Sequence, residues 1–326
     1  MVTPLINIIS PATANANNGN WHTASRWAGF LGERYRVAIS TEWNGEPCNA
    51  LVALHARRSS ASLEKYAAAF PLRPSVLILT GTDLYRDIGI DADAQRSLRL
   101  ATRLVVLQEA GLQELEPILR EKTRVIHQSV PAVAARRKRS APDASNAGII
   151  MIGHLRIEKD PLTFMRAAAL LHGSGVRMTH IGGALDPALG EQARATEQSA
   201  PHYRWLGDLP HAATLEALQQ NQLMVITSLM EGGAHVIIEA IVSGVPVLAS
   251  DISGNRGMLG TDYAGYFPVG DSRALARMIE KAVSDPGFYA LLQAQCDARA
   301  ALFLPEREQA AVLQLMDNLA PGSAAA

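Results

Sequence analysis

Two glutamates and two glycines between Ser228 and Ser250 are the residues best suited to chemistry in this sequence. The segment reads SLMEGGAHVIIEAIVSGVPVLAS. Glu231 lies in an expected loop, where it can accept a hydrogen bond from a sugar hydroxyl. Glu239 lies in an expected helix, where an unpaired acid would be costly within the apolar run VIIEAIV, so that a role in accepting ribose hydroxyls is favoured. The residues at the helix start, whose N–H groups suit a diphosphate, are Gly232, Gly233, Ala234, His235 and Val236.

Alternating strands and helices must position this segment. In the second half, apolar strands are predicted at Gly148–Gly153, Arg177–Ile181, Tyr203–Leu206, Leu223–Thr227 and Val245–Ser250. The helices between them are predicted at Pro161–Leu171, Pro187–Gln198, Ala212–Gln220 and Ala234–Val242, with further helices from Ser272 onward. In the first half, strands are predicted at Leu5–Ile9, Arg36–Ile39, Ala50–Leu54, Ser75–Thr80, Leu104–Leu107 and Thr123–Ile126. Such alternation is typical of doubly wound parallel sheets, which bind ligands at the carboxyl ends of their strands.

Composition and charge exclude several classes of protein. The 326 residues are 48% hydrophobic and 19% charged, which predicts about two globular domains and excludes a disordered chain. The net charge of −1 gives no indication of nucleic acid or membrane as a partner, although residues 1–147 carry +5 and residues 148–326 carry −6. Two distant cysteines, no recognisable signal peptide and no long apolar stretch predict a cytoplasmic protein.

Four segments of the second half resemble, in order, the motifs of retaining GT-B glycosyltransferases. Glu231 and Glu239 have the spacing of that family's E-x7-E motif, and EAIVSGVPVLAS is similar to its EAMA-x-G-x-PV-x-A. Gly153–Lys159 (GHLRIEK) is similar to G-R-L-x-x-E-K, while Ile181–Gly183 and Leu206–Asp208 stand where the family has nucleotide-contacting loops. The resemblance implies two Rossmann-like, doubly wound parallel-sheet α/β domains facing a central cleft, with a nucleotide-sugar donor on the second domain and an acceptor on the first.

The same resemblance implies the domain boundaries and a set of site residues. Residues 1–135 form the first domain, 136–147 a polar linker, 148–303 the second domain and 304–326 a C-terminal helix that crosses back to the first. Lys159 is expected to bind the donor diphosphate, Glu239 the ribose and Glu231 the hexose. The catalytic residues are expected to be Lys159, Glu231 and His154, and the further donor-binding residues Gly153, Gly183, Leu206 and Leu209. No metal and no other cofactor is expected, since no DxD motif falls on a cleft loop.

Two substitutions distinguish this sequence from the general pattern. His154 replaces the arginine that binds the diphosphate, so that Arg156 compensates or Lys159 acts alone. Thr80 replaces the histidine of a segment ending H-G-T-D. A hydroxyl cannot relay a proton as an imidazole does at neutral pH, but an acceptor that arrives as an anion needs no such relay. The glycine-rich loop near the N-terminus is reduced to Asn18–Asn20.

The first half resembles the selenosugar synthases, which join selenophosphate to a nucleotide-activated hexose. The similar segments are ISPATANANNGNWHTASRWAGFL, LHARRSSASLEKY and LTGTDLY. The resemblance implies UDP-N-acetylglucosamine or UDP-glucose as donor, a 1-selenosugar, UDP and phosphate as products, and handover of the product to the next enzyme of selenoneine biosynthesis. Because guanidinium groups suit phosphate oxygens, the acceptor-binding residues are predicted to be Asn20, His22, Thr23, Arg26, His55, Arg57, Arg58, Thr80 and Thr82.

Two other functions stay open at this point, and a third, a two-domain solute-binding protein, would need a signal peptide that the sequence does not show. One is a glycosyltransferase of the same fold with an ordinary alcohol, lipid or sugar acceptor. The other is a UDP-sugar-binding sensor that has lost catalysis, which the substitutions at His154 and Thr80 would explain. The sequence leaves the preferred hexose, the anomeric outcome, the oligomeric state and the identity of the acceptor-binding arginine open.

Overall fold

The computed structural model describes residues 3–13, 19–131 and 146–319, in which strands and helices alternate. The strands are β1 (Leu5–Ile9), β2 (Arg36–Ser40), β3 (Ala50–Leu54), β4 (Ser75–Ile78), β5 (Arg103–Val106), β6 (Thr123–Val125), β7 (Gly148–Ile152), β8 (Arg177–Ile181), β9 (Tyr203–Trp205), β10 (Leu223–Ile226), β11 (Val247–Ser250) and β12 (Tyr266–Phe267). The helices are α1 (Gly19–Leu31), α2 (Ser60–Ala69), α3 (Ile88–Ile90), α4 (Ala92–Leu100), α5 (Pro117–Glu121), α6 (Pro161–Leu170), α7 (Pro187–Ser199), α8 (His211–Gln220), α9 (His235–Val242), α10 (Ser253–Leu259), α11 (Ser272–Ser284), α12 (Pro286–Arg299) and α13 (Pro305–Asp317).

The chain divides into two compact units. The first comprises Met1–Ser129, Glu231–Gly233 and Leu302–Ala326, and the second comprises Val130–Met230 and Ala234–Ala301. Helix α13 therefore belongs to the first unit although it follows the second unit in sequence. The predicted linker at 136–147, which includes the basic sequence RRKR at 136–139, lies almost entirely outside the described residues.

The first unit is built on a six-stranded parallel sheet in the order β2-β1-β3-β4-β5-β6. In its register, Ile6 of β1 lies opposite Val37 of β2 on one side and Ala50 of β3 on the other. Alternate strand residues face opposite sides, and the inner strands β1, β3, β4 and β5 are buried on both faces, whereas the edge strands β2 and β6 are partly exposed. One face packs against α1 and α13, including Trp27, and the other packs against α2 and α4.

The second unit repeats this arrangement with a parallel sheet in the order β12-β11-β10-β7-β8-β9. The strands β7, β10 and β11 are buried along nearly their whole length. Both sheets confirm the predicted doubly wound α/β architecture. None of the helices in the described ranges combines the length and apolar character needed to span a bilayer.

Two local expectations were wrong, and one short strand was not predicted. Gly19 and Asn20, predicted to lie in a loop, begin helix α1. Strand β11 begins at Val247 rather than Val245, because the Val245 N–H closes the turn after α9 on the Ala240 carbonyl and Pro246 has no N–H to donate. The two-residue strand β12 was not predicted, since two residues are too few to show a periodic pattern.

A buried carboxylate fixes α13 to the rest of the first unit. Glu308 is 2% exposed and accepts hydrogen bonds from Arg26 Nε at 2.7 Å and Arg26 Nη2 at 3.0 Å. Its carboxylate also accepts from Trp27 Nε1 at 3.0 Å and from both the N–H and the hydroxyl of Ser129 at 2.6 Å. The donors come from α1 and from the segment after β6, so one side chain joins three parts of the chain.

We predict that Glu308→Gln lowers the free energy of unfolding by about 2–4 kcal/mol, because it leaves the largely buried Arg26 guanidinium without its counter-charge. The matched control is Glu306→Gln, which changes an exposed carboxylate on the same helix and should stay within about 0.5 kcal/mol of wild type. Urea unfolding followed by circular dichroism measures both. Equal effects of the two substitutions would show that the Glu308 ion pair does not contribute to the free energy of unfolding.

Candidate functional site

The loops after β7 and β10 meet where the strand order of the second sheet reverses. Strands β7 and β10 are neighbours, and the chain leaves them toward opposite edges of the sheet. The Thr227 hydroxyl donates to the Lys159 carbonyl at 2.7 Å, and the Leu229 N–H donates to the Glu158 carbonyl at 2.9 Å. These bonds hold together the two loops that carry the sequence motifs, at the position where such sheets bind ligands.

Lys159 lies at the end of a short 3₁₀ turn, Ile157–Lys159, between β7 and α6. Asp160 follows in the left-handed region with φ 42°, and its carboxylate accepts from the Thr163 hydroxyl at 2.6 Å. The aliphatic stem of the half-buried Lys159 side chain lies over Gly153, where a Cβ would be 3.6 Å from the Lys159 Cδ. The turn thus fixes the direction in which the lysine leaves the loop.

Glycine is required where the loops after β7 and β8 touch. Gly182 has φ +148°, and a Cβ there would lie 2.0 Å from the Gly153 carbonyl oxygen. Its N–H donates to the Gly207 carbonyl at 2.8 Å, and its own carbonyl accepts from Trp205 Nε1 at 2.8 Å. Three successive loops are therefore joined through backbone atoms that no larger residue would allow to approach.

His154 is held in one tautomer by its neighbour. The Gly183 N–H donates to His154 Nδ1 at 3.1 Å, so the ring proton resides on Nε2, which can donate. Burial lowers the pKa of His154; nearby Asp208 opposes this, while Arg156 and Lys159 add to it. His154 is thus a neutral hydrogen-bond donor at pH 7.

The buried Nε of Arg156 makes no hydrogen bond to any residue in the described ranges.

Glu239 is buried in α9 and contacts two imidazoles. His211 Nε2 lies 2.7 Å from Glu239 Oε1, and His235 Nδ1, one turn earlier on α9, lies 3.3 Å from the same oxygen. Burial opposes ionisation of Glu239, but the hydrogen bonds from His211 and His235 outweigh it and lower its pKa to about 2. The hydrogen bond to Glu239 raises the pKa of His211. His211 was not among the predicted site residues, since an isolated histidine after Pro210 carries no motif.

The other predicted donor-binding residues of the second unit follow strands β8 and β9 or begin helix α9. Gly183 follows β8 and lies beside Asp208, whose Cβ would be 3.5 Å from a Cβ at Gly183. Leu206 is 47% exposed and follows β9, and Leu209 is half-buried in the same loop. Ala234 is the buried residue that caps α9 without a side-chain hydrogen bond, and His235 and Val236 form its first turn.

The loop Glu231–Gly233 belongs to the first unit. A Cβ at Gly232 would lie 2.2 Å from the Thr80 carbonyl oxygen, and one at Gly233 would lie 2.7 Å from the Leu107 Cβ. The half-buried Glu231 thus stands next to a glycine that touches the loop after β4. Both glycines are needed for close backbone approach, rather than for a positive φ.

In the first unit, Asp83 joins the loops after β3 and β4. Its fully buried carboxylate accepts from the Ala56 N–H through Oδ2 and from the Thr80 and Gly81 N–H groups through Oδ1, each at 2.9 Å. The Thr80 hydroxyl donates to the same Oδ1 at 3.3 Å. Asp83 opens a π-helical turn, Asp83–Asp87, a geometry often found at functional sites.

His55 has an unusual backbone conformation directly after β3. Its φ is 71°, a costly value for a residue with a Cβ, and the residue is 2% exposed. Its Nδ1 accepts from the Arg58 N–H at 3.4 Å, and its Nε2 lies 3.1 Å from the Thr82 hydroxyl oxygen, to which it donates. Burial lowers the pKa of His55, with Asp83 opposing. The Thr82 side chain is half-buried, and its hydroxyl keeps its own proton to donate when it accepts from His55.

The three predicted acceptor-binding arginines differ in their surroundings. Arg57 Nε donates to Asp87 at 2.9 Å, and Arg26 donates to Glu308, so both guanidinium groups already have carboxylate partners. The Arg58 side chain is exposed beside His55. Arg58 therefore stands out as the cation at this site without a carboxylate partner in the described part of the chain.

The remaining predicted acceptor residues lie on helix α1. Asn20 and His22 are half-buried in its first turn. Thr23 is buried, donates its hydroxyl to the Gly19 carbonyl at 2.8 Å and accepts a short hydrogen bond from Gln128. The Thr23 side chain is thereby occupied within the fold, whereas Thr80 and Thr82 lie in the loop that Asp83 organises.

The chain is similar to known glycosyltransferases in sequence and fold. A sequence profile of the family "Glycosyl transferases group 1" matches residues 134–301. "Glycosyltransferase 1 domain-containing protein 1" of Xenopus tropicalis is 24% identical over 204 residues, which are 57% of this chain; the chain spans 59% of the length of this curated relative.

Two solved structures illustrate the likeness in fold. Anabaena Alr3699/HepE in complex with UDP-glucose has a TM-score of 0.74 at 16% identity, covering 97% of this chain and all of that one. Sucrose-phosphate synthase from Thermosynechococcus elongatus has a TM-score of 0.74 at 17% identity, covering 97% and 99%. The fold is that of GT-B glycosyltransferases. The profile match covers more than half of the chain, which therefore belongs to the group 1 glycosyltransferases.

The pair of opposite pKa shifts predicts how stability depends on pH. The lowered pKa of Glu239 stabilises the fold above its unfolded value of 4.5, and this contribution is lost as the pH falls toward 2. The raised pKa of His211 stabilises the fold below 6.5 and ceases to do so as the pH rises through the folded value. We expect the difference in unfolding free energy between wild type and Glu239→Gln to be largest between pH 4.5 and 6.5 and to shrink on both sides.

Urea titrations at several pH values measure this difference. The matched control is Glu191→Gln, an exposed carboxylate on α7, whose effect should be small and flat across the same range. A Glu239→Gln difference that stays constant from pH 5 to above pH 8 would contradict the ion pair with His211.

Proposed function

We propose that this glycosyltransferase transfers a hexose from a UDP-sugar, with glucose or N-acetylglucosamine as the sugar, to selenophosphate. A selenium lone pair attacks C1 of the hexose, and the bond from C1 to the β-phosphate oxygen breaks with its electron pair leaving on UDP. Water then attacks phosphorus, and the P–Se bond breaks to give phosphate and the 1-selenosugar. The reaction consumes one UDP-sugar, one selenophosphate and one water.

One observation carries the choice of acceptor: the loops after β3 and β4 offer hydrogen-bond donors and no poised general base. Both nitrogens of His55 are engaged, and its lowered pKa reflects its burial. Thr80, which replaces a histidine of the family pattern, donates to Asp83. Arg58 and the Thr82 hydroxyl suit the oxygens of an anion. Selenophosphate is already anionic and needs no deprotonation to react.

On the donor side, we propose that Lys159 and the start of α9 bind the diphosphate. The charge that develops on the leaving UDP would be stabilised by the Lys159 ammonium and by the dipole of α9, without a metal ion. We propose that the Nε2–H of His154 would replace part of the missing arginine fork and that Arg156, whose buried Nε has no hydrogen-bond partner in the described ranges, would assist. Glu231 would accept a hydrogen bond from the hexose and Glu239 from the ribose.

The two cysteines, Cys48 and Cys296, are buried thiols that are not joined in a disulfide, which is compatible with a reducing compartment, and we propose the cytoplasm. There the selenosugar would pass to an enzyme that uses a carbon–selenium nucleophile. An ordinary alcohol acceptor is less favoured, because an alcohol needs a base to accept its proton and the described loops hold none that is disengaged.

Mass spectrometry of the products tests this function. The enzyme is incubated with selenophosphate and a panel of nucleotide sugars, with and without EDTA. We expect a 1-selenosugar together with equal amounts of UDP and phosphate, unaffected by EDTA. Release of UDP with alcohol or sugar acceptors alone would support an ordinary glycosyltransferase, and UDP-sugar binding without turnover would support a sensor; either result would refute the selenophosphate assignment.

We predict that Lys159→Ala lowers kcat by about 100-fold or more at saturating donor, because a charge that stabilises the leaving group is lost. Lys281→Ala is the matched control, since Lys281 lies over the ring of Phe288 on the same unit at 4.2 Å from its centroid and has no assigned role in the reaction. Steady-state kinetics of both variants give the comparison. Near-normal turnover of Lys159→Ala would show that the diphosphate binds elsewhere.

We predict that Arg58→Ala raises the acceptor KM at least about tenfold and leaves UDP affinity unchanged, because a charge-assisted hydrogen bond to an anion is worth about 1.5–3 kcal/mol. Arg58→Lys should restore only part of the loss, since lysine keeps the charge without the fork. Arg96→Ala, which removes an exposed guanidinium paired with Asp93, serves as control. If the acceptor KM of Arg58→Ala equalled that of the control, the anion site would have to be reassigned.

A further inference from the structure

Both imidazoles that surround Glu239 contact the same oxygen of its carboxylate. His211 Nε2 lies 2.7 Å from Oε1, and His235 Nδ1 lies 3.3 Å from Oε1. The carboxylate is buried, with its side chain 5% exposed, inside an apolar helix. Its rotation is therefore restrained from one side by donors from two places, the start of α8 and the first turn of α9.

The two histidines are not equivalent. His235 is on the same helix as Glu239, four residues earlier, and its contact is the longer one. His211 reaches Glu239 from another element, makes the shorter contact and leaves half of its side chain exposed. A residue that only filled the core would be buried, so His211 stands at the border between the buried carboxylate and the surface.

This arrangement determines how many hydrogen bonds Glu239 can still accept. A carboxylate offers about four lone-pair positions over its two oxygens. Two imidazoles on Oε1 occupy that oxygen, which leaves the two positions of Oε2. Two donors on adjacent carbons, as in the vicinal 2′,3′-diol of a ribose, match the positions that remain.

We propose that His211 is a positioning residue that orients the Glu239 carboxylate so that Oε2 receives the ribose diol of the nucleotide. The inference rests on the proposed donor, a UDP-sugar, but not on the proposed acceptor. Through Glu239, His211 makes binding depend on an intact diol, and so favours ribonucleotides over deoxyribonucleotides. His211 does not itself touch the nucleotide in this assignment.

If His211 had only a structural role, its loss would affect UDP and 2′-deoxy-UDP binding differently from the loss of an orienting residue. If His211 merely stabilised the fold, its loss would lower the melting temperature and weaken UDP and 2′-deoxy-UDP equally. If it orients Glu239, its loss weakens UDP far more than 2′-deoxy-UDP, because the deoxy compound lacks the diol whose contact is lost. The ratio of the two affinities therefore separates orientation from stability.

Calorimetric titration of the full chain with UDP and with 2′-deoxy-UDP tests the proposal. For wild type we expect UDP to bind at least about tenfold more tightly than 2′-deoxy-UDP. His211→Ala should reduce UDP affinity about tenfold and bring the ratio close to one. His211→Gln, which retains a neutral N–H donor on a side chain of similar reach, should restore most of the ratio. His172→Ala removes an exposed imidazole after α6 and is the matched control.

A double-mutant cycle completes the test. Once Glu239 is changed to Gln, adding His211→Ala should cause little further loss of UDP affinity, because the two residues act through one contact. In the kinetic assay, His211→Ala should raise the donor KM and leave kcat nearly unchanged, since ribose binding contributes equally in the ground and transition states. Thermal unfolding of each variant shows that it is folded at the temperature of titration.

Each outcome is decisive. An unchanged ratio of UDP to 2′-deoxy-UDP affinity in folded His211→Ala, or additive losses in the cycle, would overturn the role of His211. Wild type that binds neither nucleotide would overturn the proposed donor and this inference together. Wild type with the expected ratio but no transfer to selenophosphate would refute the proposed acceptor and leave the role of His211 standing.

Discussion

A carboxylate can be buried only where donors surround it, and this constraint organises the chain at three positions. Glu308 collects donors from α1 and from the segment after β6, and it fixes α13 to the first unit. Asp83 collects backbone N–H groups from two loops of the same sheet. Glu239 collects two imidazoles in the second unit. Each acid would be strongly destabilising if its partners were removed, because the charge would remain without water.

The parallel sheets bring the loops that carry the candidate site residues to one edge. Strands that point the same way place all their following loops at one edge, so residues far apart in sequence meet there. In the second unit, the loop after β7 carries Lys159 and the loop after β10 leads to α9, and backbone hydrogen bonds join them. The loop after β8 joins them through a close contact of Gly182 with the Gly153 carbonyl that leaves no room for a side chain. Backbone contacts therefore hold the loops around Lys159 together.

Much of this could be predicted from the sequence, because buried parallel strands are continuous apolar runs and the helices between them begin at visible signals such as Pro161 and Pro187. The partners of the charged groups could not. Arg26 is 282 residues from Glu308, and His211 is 28 residues from Glu239 on another helix. No periodicity relates such pairs, since only the fold brings them together. Arg26 and Arg58 therefore look equivalent in sequence, although the structure surrounds them differently.

The difference between the arginines bears on the proposed acceptor, which is assigned to the first unit. A guanidinium bonded to a buried carboxylate is neutralised and occupied, so Arg26 contributes to stability and offers little to an anion. Arg58, beside the strained His55, keeps its charge available at a loop whose geometry Asp83 fixes. In the proposed function, the imidazole of His55, which lies 3.1 Å from the Thr82 hydroxyl oxygen, would orient that hydroxyl and would not remove a proton. A cation and oriented donors beside an imidazole whose two nitrogens are both engaged support the proposed anionic acceptor, because such a nucleophile arrives without a proton to remove.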